Sequence, residues 1–156
     1  MPALEIEGSV IFESLAICLY LADHYPKALL APQVDSPERS EYYQWMAFST
    51  GTLEPSIIEE VRHKRAQESN IDIVDMGPTL TKFTDVMAYI NHKLLNTEFL
   101  ISKNFNAADL MISSMLMWAE NQNLLAGYDN IKHWIEHIKQ RPAYSCSIIK
   151  CHASSG

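Results

Sequence analysis

The strand pattern of this chain is confined to its first twelve residues. Leu4-Glu5-Ile6-Glu7 alternates apolar and acidic side chains, Glu7-Gly8-Ser9 is a turn signal in which Gly8 can take positive φ, and Val10-Ile11-Phe12 forms the return. No strand pattern follows it. A lone hairpin is barely stable in water, so this one must lie on helices or pair with further strands. The rest reads as helix, which predicts a mainly α chain with a small βα fragment at its start.

A helix begins abruptly after Phe12. Ser14 is placed to cap it, its hydroxyl accepting from a backbone N–H that lacks a partner in the first turn. Glu13, Ser14 and the free N–H groups would together form a polar pocket at a helix N-terminus, a place that attracts carboxylates. The plain alternative is that Ser14 is only a cap. Leu15, Ile17, Cys18, Leu19, Leu21 and Ala22 leave little polar face, so the helix is expected to be covered on most sides until Pro26 ends it.

Residues 27–36, bracketed by prolines, read as an ordered linker. Ser36-Pro37-Glu38 predicts a capped start for the next helix, which runs through Tyr42, Tyr43, Trp45, Met46 and Phe48 toward Gly51. Tyr42, Tyr43 and Trp45 read as packing or dimer contacts. Pro55 predicts a kink or loosened turn between Gly51 and Ser56 before the helix resumes at Ile57. Ile73, Met76, Leu80, Phe83, Val86, Met87, Ile90 and Leu94 recur at three- and four-residue spacing over 72–95, with Gly77-Pro78 either interrupting or preceding the helix proper.

After a loop in which Phe99-Leu100-Ile101 turns inward, Asn106 and Asp109 have the spacing of a capping box, with Phe105 and Leu110 placed as a hydrophobic staple. The apolar run from Leu110 to Trp118 predicts a central buried helix. An amphipathic helix over 128–140 follows, and Arg141-Pro142-Ala143-Tyr144 breaks it and opens a last short one. The expected organisation is a fragment over 1–26, a linker over 27–36, an all-α bundle of about five helices over 37–150 and a frayed tail over 151–156.

Composition narrows the chemistry. A net charge of −7 with no basic stripe argues against a nucleic-acid partner. The longest strongly apolar run, 15–22, is far too short to span a bilayer, and no secretory leader pattern is visible. Cys18, Cys146 and Cys151 show no metal or redox spacing and suit a reducing cytoplasm, with Cys18 read as a small buried hydrophobe. His133 and His137 lie one helical turn apart, but no third ligand is in view, so no metal is expected.

The order of these features resembles a known family. Met1-Pro2-Ala3-Leu4-Glu5, the turn at Gly8, and Glu13-Ser14-x-Ala16-Ile17-x-x-Tyr20-Leu21-Ala22 resemble the second half of the thioredoxin-like domain of cytosolic, bacterial-type glutathione S-transferases. Phe105-Asn106-Ala107-Ala108-Asp109 resembles the capping motif of their C-terminal domain, and Arg141-Pro142-Ala143-Tyr144 the entry to their last helix. The resemblance covers essentially the whole chain. It implies a partial thioredoxin-like domain, a β-hairpin plus helix, followed by the family's all-α C-terminal bundle.

It also implies a glutathione site. The Met1 backbone would meet the cysteinyl part, Pro2 would be the cis-proline of the turn, and Glu13 and Ser14 would hold the γ-glutamyl end through its ammonium and carboxylate. Hydrophobic acceptors would lie against the helix after the linker, where Met46, Thr50 and Leu53 are candidates to line the site; equally, they could pack against neighbouring helices or a second subunit.

One departure is large. The family's thiol-activating serine, cysteine or tyrosine lies in a strand–helix–strand ahead of the proline turn, and this chain starts at the proline. The expectation is therefore an N-terminally truncated chain with no catalytic residue of its own, binding glutathione weakly or not at all. The intact form would be a cytoplasmic transferase, a homodimer, using glutathione as co-substrate, with no cofactor, to attack hydrophobic electrophiles. The alternatives are a non-catalytic binding protein of the same fold and a relative with isomerase, dehalogenase or peroxidase chemistry.

Overall fold

The computed structural model describes residues 2–69, 82–101 and 103–153, with side chains up to residue 147. The chain opens with an antiparallel hairpin of β1 (Ala3–Ile6) and β2 (Ser9–Phe12), Ala3 opposite Phe12 and Ile6 opposite Ser9. Glu7 (φ 50°) and Gly8 (φ 81°) both take left-handed backbone, the geometry that lets a two-residue turn follow the strands' twist. The pleat puts Leu4, Ile6 and Ile11 on one face, half-buried where α1 (Ser14–His24) packs. Val10 and Phe12 point the other way and are 64% and 58% exposed. No other strand occurs among the described residues.

The sequence predicts a mostly covered α1, and the structure differs. Ala22 is its only buried residue; Leu15, Cys18 and Leu19 are half-buried against the core. One side of α1 carries a two-stranded hairpin, which is too narrow to cover the helix, and only the stripe toward the bundle closes.

A short 3-10 turn (Pro26–Ala28) and Leu29 in left-handed conformation lead into the linker. The Leu30 carbonyl accepts from the Ala107 N–H at 2.8 Å, which pins the linker to the bundle. The next helix, α2 (Glu38–Phe48), lacks the expected Ser36 cap: the Ser36 hydroxyl donates to the Glu38 carboxylate at 2.6 Å, and Pro37 already has helical backbone.

The loosening expected near Pro55 takes the form of a π-helical turn, Ser49–Leu53, that joins α2 to α3 (Glu54–Ser69). The Glu54 N–H reaches five residues back to the Ser49 carbonyl, just ahead of the proline that has no N–H to give. Buried Ser49 and Ser56 hydroxyls donate to the Met46 and Leu53 carbonyls on either side.

Of the helix expected over 72–95, α4 spans Phe83–Lys93, and Ile73, Met76, Gly77, Pro78 and Leu80 lie outside the described residues. Val86, Met87 and Ile90 form its buried stripe. The central helix, α5 (Ala107–Asn121), meets α1, α2, α3 and α6, with Ala108, Ile112, Leu116 and Ala119 fully enclosed. The capping box forms in full. Asn106 Oδ1 accepts from the Ala108 N–H at 2.9 Å, and Asp109 accepts from the Asn106 N–H at 2.9 Å and the Leu100 N–H at 2.8 Å. The staple does not pair as expected: Leu110 is 47% exposed, while Phe105 packs on Phe99 and lies under the Arg141 guanidinium.

Helix α6 (Asp129–Lys139) is capped from another helix, since Asn91 Oδ1 accepts from the Asn130 and Ile131 N–H groups at 3.1 and 3.3 Å. Trp134 is buried and donates to the Glu98 carbonyl at 2.9 Å. The last helix, α7 (Pro142–Ala153), begins at the Arg-Pro break, as read from the sequence, and reaches into the stretch expected to fray. With α2 and α3 counted as one interrupted rod, the described residues form a bundle of five helical rods.

Candidate functional site

The hairpin register brings the chain start to the N-terminus of α1. Extending the pairing of Ala3 with Phe12 by one residue sets Pro2 across from Glu13. Both are exposed, as is Ser14. Met1, and with it the Met1–Pro2 bond, lies outside the described residues; no cis peptide bond occurs among those described.

Ser14 is not the cap. It is the first helical residue, and Glu13 holds the cap position with φ 73° and ψ 121° and no side-chain capping bond. That backbone conformation is costly for a residue with a Cβ, of order 1–3 kcal/mol. The first intrahelical bond runs from the Ile17 N–H to the Glu13 carbonyl, so the N–H groups ahead of Ile17 in that turn have no acceptor within the helix. The Glu13 carboxylate and Ser14 hydroxyl make no hydrogen bond among the described residues. The start of α1 therefore presents one acid, one hydroxyl and outward N–H groups to solvent. It suits a ligand that carries both an ammonium and a carboxylate.

The other candidates are placed elsewhere. Met46 and Leu53 are fully buried in the helical core. They take the packing role that the sequence equally allowed: helical spacing identified one face but not what covers it. Thr50, on the π turn, is half-buried. Asn106 and Asp109 are structural, and burial pushes the Asp109 carboxyl up to about 6 despite its two N–H donors and the nearby Arg141 charge. Burial also raises the Cys18 thiol, the opposite of what a thiolate nucleophile requires.

His133 is exposed and His137 half-buried beside Phe99; no group of three potential metal ligands occurs among the described residues. The cleft of about 320 Å³ they border, with Glu98 and Trp134, draws no residue from the hairpin or α1.

Sequence reading missed one constellation, the joint between α1 and α2. Arg39, 5% exposed, donates to Asp23 of α1 at 2.6 Å and to the linker carbonyl of Pro32 at 2.8 Å, with its guanidinium over the Tyr42 and Tyr43 rings. The partners lie sixteen and seven residues away, and no local pattern announces them. Tyr42 is buried with an unpartnered hydroxyl, and burial pushes that phenol up to about 12.

This architecture, a partial thioredoxin-like domain on an all-α bundle, is the fold of glutathione S-transferases. The structure of a sphingomonad glutathione S-transferase complexed with glutathione matches over 96% of this chain and 73% of its own, with a TM-score of 0.73 and 22% identity. A glutathione S-transferase from Actinobacillus pleuropneumoniae matches with a TM-score of 0.77 and 23% identity over 96% of this chain and 68% of its own.

In sequence, the family model of the glutathione S-transferase N-terminal domain matches residues 1–23. Disulfide-bond oxidoreductase YfcG of Escherichia coli K12 is 28% identical over 96% of this chain and 68% of its own length. Glutathione S-transferase GstA of Escherichia coli O157:H7 is 26% identical over 91% and 69%. In sequence and in fold the chain is similar to bacterial-type glutathione S-transferases. It spans about two thirds of the length of these two relatives. No helix among the described residues is long and apolar enough to cross a membrane.

Proposed function

We propose that this chain carries the γ-glutamyl half of a glutathione site, and that its intact form is a glutathione S-transferase conjugating the glutathione thiolate to hydrophobic electrophiles. The observation that carries the reading is the start of α1: Glu13 held at positive φ ahead of unbonded helical N–H groups, with Ser14 free beside it. Strained backbone at an exposed polar helix start is better explained by a ligand than by the fold, since Glu13 caps nothing. The γ-glutamyl carboxylate sits on the Ser14 hydroxyl and the first N–H groups; Glu13 pairs with the ammonium. Pro2, set across from Glu13, meets the cysteinyl part.

On this reading no residue of the described chain activates the thiol. Conjugation also needs a thiolate, and Cys18 is held as a thiol. The intact protein works as a cytoplasmic homodimer with no cofactor, its acceptor lying near Thr50, the one acceptor-site candidate outside the core.

The test is an NMR titration of this chain with reduced glutathione. Binding is expected in the range of about 1 mM, with shifts concentrated at the Ser14, Leu15 and Ala16 amides and abolished by Glu13→Gln with Ser14→Ala. Shifts spread elsewhere, or unaffected by the double variant, would sink the site. Restoring an upstream strand–helix–strand with an early Ser, Cys or Tyr should bring conjugating activity. Glutathione binding without conjugation in that longer form would favour the non-catalytic reading.

A further inference from the structure

We propose that Arg39 is the positioning residue that sets the angle of α1, and with it the Glu13–Ser14 end, against the helical bundle. This rests on the reading of that end as the glutathione-binding end.

Little else holds α1. Its hairpin side is a two-stranded sheet, which lends scant rigidity. Toward the bundle it contributes Leu15, Cys18, Leu19 and Ala22, one stripe of small or half-buried side chains. Asp23 continues that stripe one turn beyond Leu19. There it meets Arg39, whose guanidinium joins three segments at once: Asp23 of α1, the Pro32 carbonyl of the linker and α2 itself.

The planar fork matters here. One Arg39 nitrogen takes Asp23 and another takes Pro32, an arrangement a lysine cannot reproduce. The Tyr42 and Tyr43 rings on the guanidinium fix its plane. The Arg39 Nε is buried without a partner, so the joint rests on the other two nitrogens. Although the Asp23 carboxylate is half exposed, the arginine is not; removing Asp23 leaves a buried charge without its carboxylate partner.

The geometry is that of a lever. At 1.5 Å per residue, Ser14 lies about 14 Å along α1 from Asp23. A small rotation at the clamped end moves the Glu13–Ser14 end most. The Leu30–Ala107 bond holds the linker to α5 but touches no residue of α1, so it leaves that rotation free.

The experiment compares wild type with Asp23→Glu, Asp23→Asn, Arg39→Lys and Arg39→Met in the full chain. It follows amide exchange of α1 and of α5, and glutathione-induced shifts at Ser14–Ala16. Asp23→Asn, Arg39→Lys and Arg39→Met should each speed exchange across α1 by about tenfold while α5 and α6 keep their rates. Asp23→Glu, which keeps the carboxylate, should stay within about threefold of wild type.

Unchanged α1 exchange in Asp23→Asn and Arg39→Met would overturn the proposal. So would equal acceleration of α1 and α5, which would mean general destabilisation. The exchange comparison holds with no ligand present. A wild type that shows no glutathione shifts defeats the site reading while leaving the clamp tested. Where those shifts are present, the clamp variants should weaken them by about tenfold, and shifts identical to wild type in Asp23→Asn would defeat the positioning role.

Discussion

At the start of α5, Asn106 and Asp109 close a box: three backbone N–H groups end on their side chains and both residues are buried. At the start of α1, Glu13 sits at φ 73°, Ser14 is exposed, and neither side chain satisfies an N–H of the first turn. In sequence the two places look alike, a small polar residue ahead of an apolar helix. The difference lies in what surrounds them. Asn106, Ala107 and Asp109 are buried at the α5 start, so each polar group there must find a protein partner or cost the fold. The α1 start faces water, which satisfies the same groups and leaves them available to a ligand. A closed helix start serves stability; an open one can serve binding.

That contrast extends to the two regions and can be broken at its strongest point first. Leu116→Ala, in the enclosed middle of α5, should cost about 3 kcal/mol in urea unfolding. Phe12→Ala, on the open face of the hairpin, should cost less than about 0.5 kcal/mol. Comparable losses would mean that the hairpin face is covered in solution. Asp109→Ala should destabilise by about 2 kcal/mol, because it leaves the Leu100 and Asn106 N–H groups buried and unpaired.

The same carboxyl gives a pH signature. Its folded value, about 6, lies above its ordinary 3.8, so the folded state binds the proton more tightly. Its contribution is full below about 4 and is lost as pH rises through about 6. The stability of wild type minus that of Asp109→Asn should therefore fall between those values and flatten above them. A difference that rises with pH would reverse the assignment.

Asn106→Ala should cost about 1 kcal/mol, the ordinary worth of a side-chain cap. Ser14→Ala, by contrast, should shift the unfolding midpoint by an amount equivalent to less than about 0.5 kcal/mol while removing glutathione-induced shifts. A loss near that of Asn106→Ala would show that Ser14 caps α1 after all.

Much of the molecule was legible before any coordinates. The hairpin follows from alternation around Gly8, the central helix from an apolar run behind a capping box, and the last helix from Arg141-Pro142. Even the π turn has a local cause, a proline without an N–H at position 55. These are short-range effects of φ/ψ preference, capping chemistry and hydrophobic period. The errors share a different origin. Ser14 and Ser36 have the right chemistry for caps, but the approach of the preceding chain decides where a hydroxyl points. Met46, Thr50 and Leu53 share a face in sequence, yet Met46 and Leu53 are enclosed in the core while Thr50 is half-buried.

What the sequence determined by itself is therefore the kind and order of elements, and the polar pair Glu13–Ser14 at the head of α1. Only the tertiary structure decided which of those polar groups are spoken for. It alone brought Asn91 to the start of α6 and Arg39 to Asp23 and Pro32. Pairings between distant residues carry no local signature, because the entropy of closing each loop is met by the packing of the whole bundle and not by the residues that end up in contact.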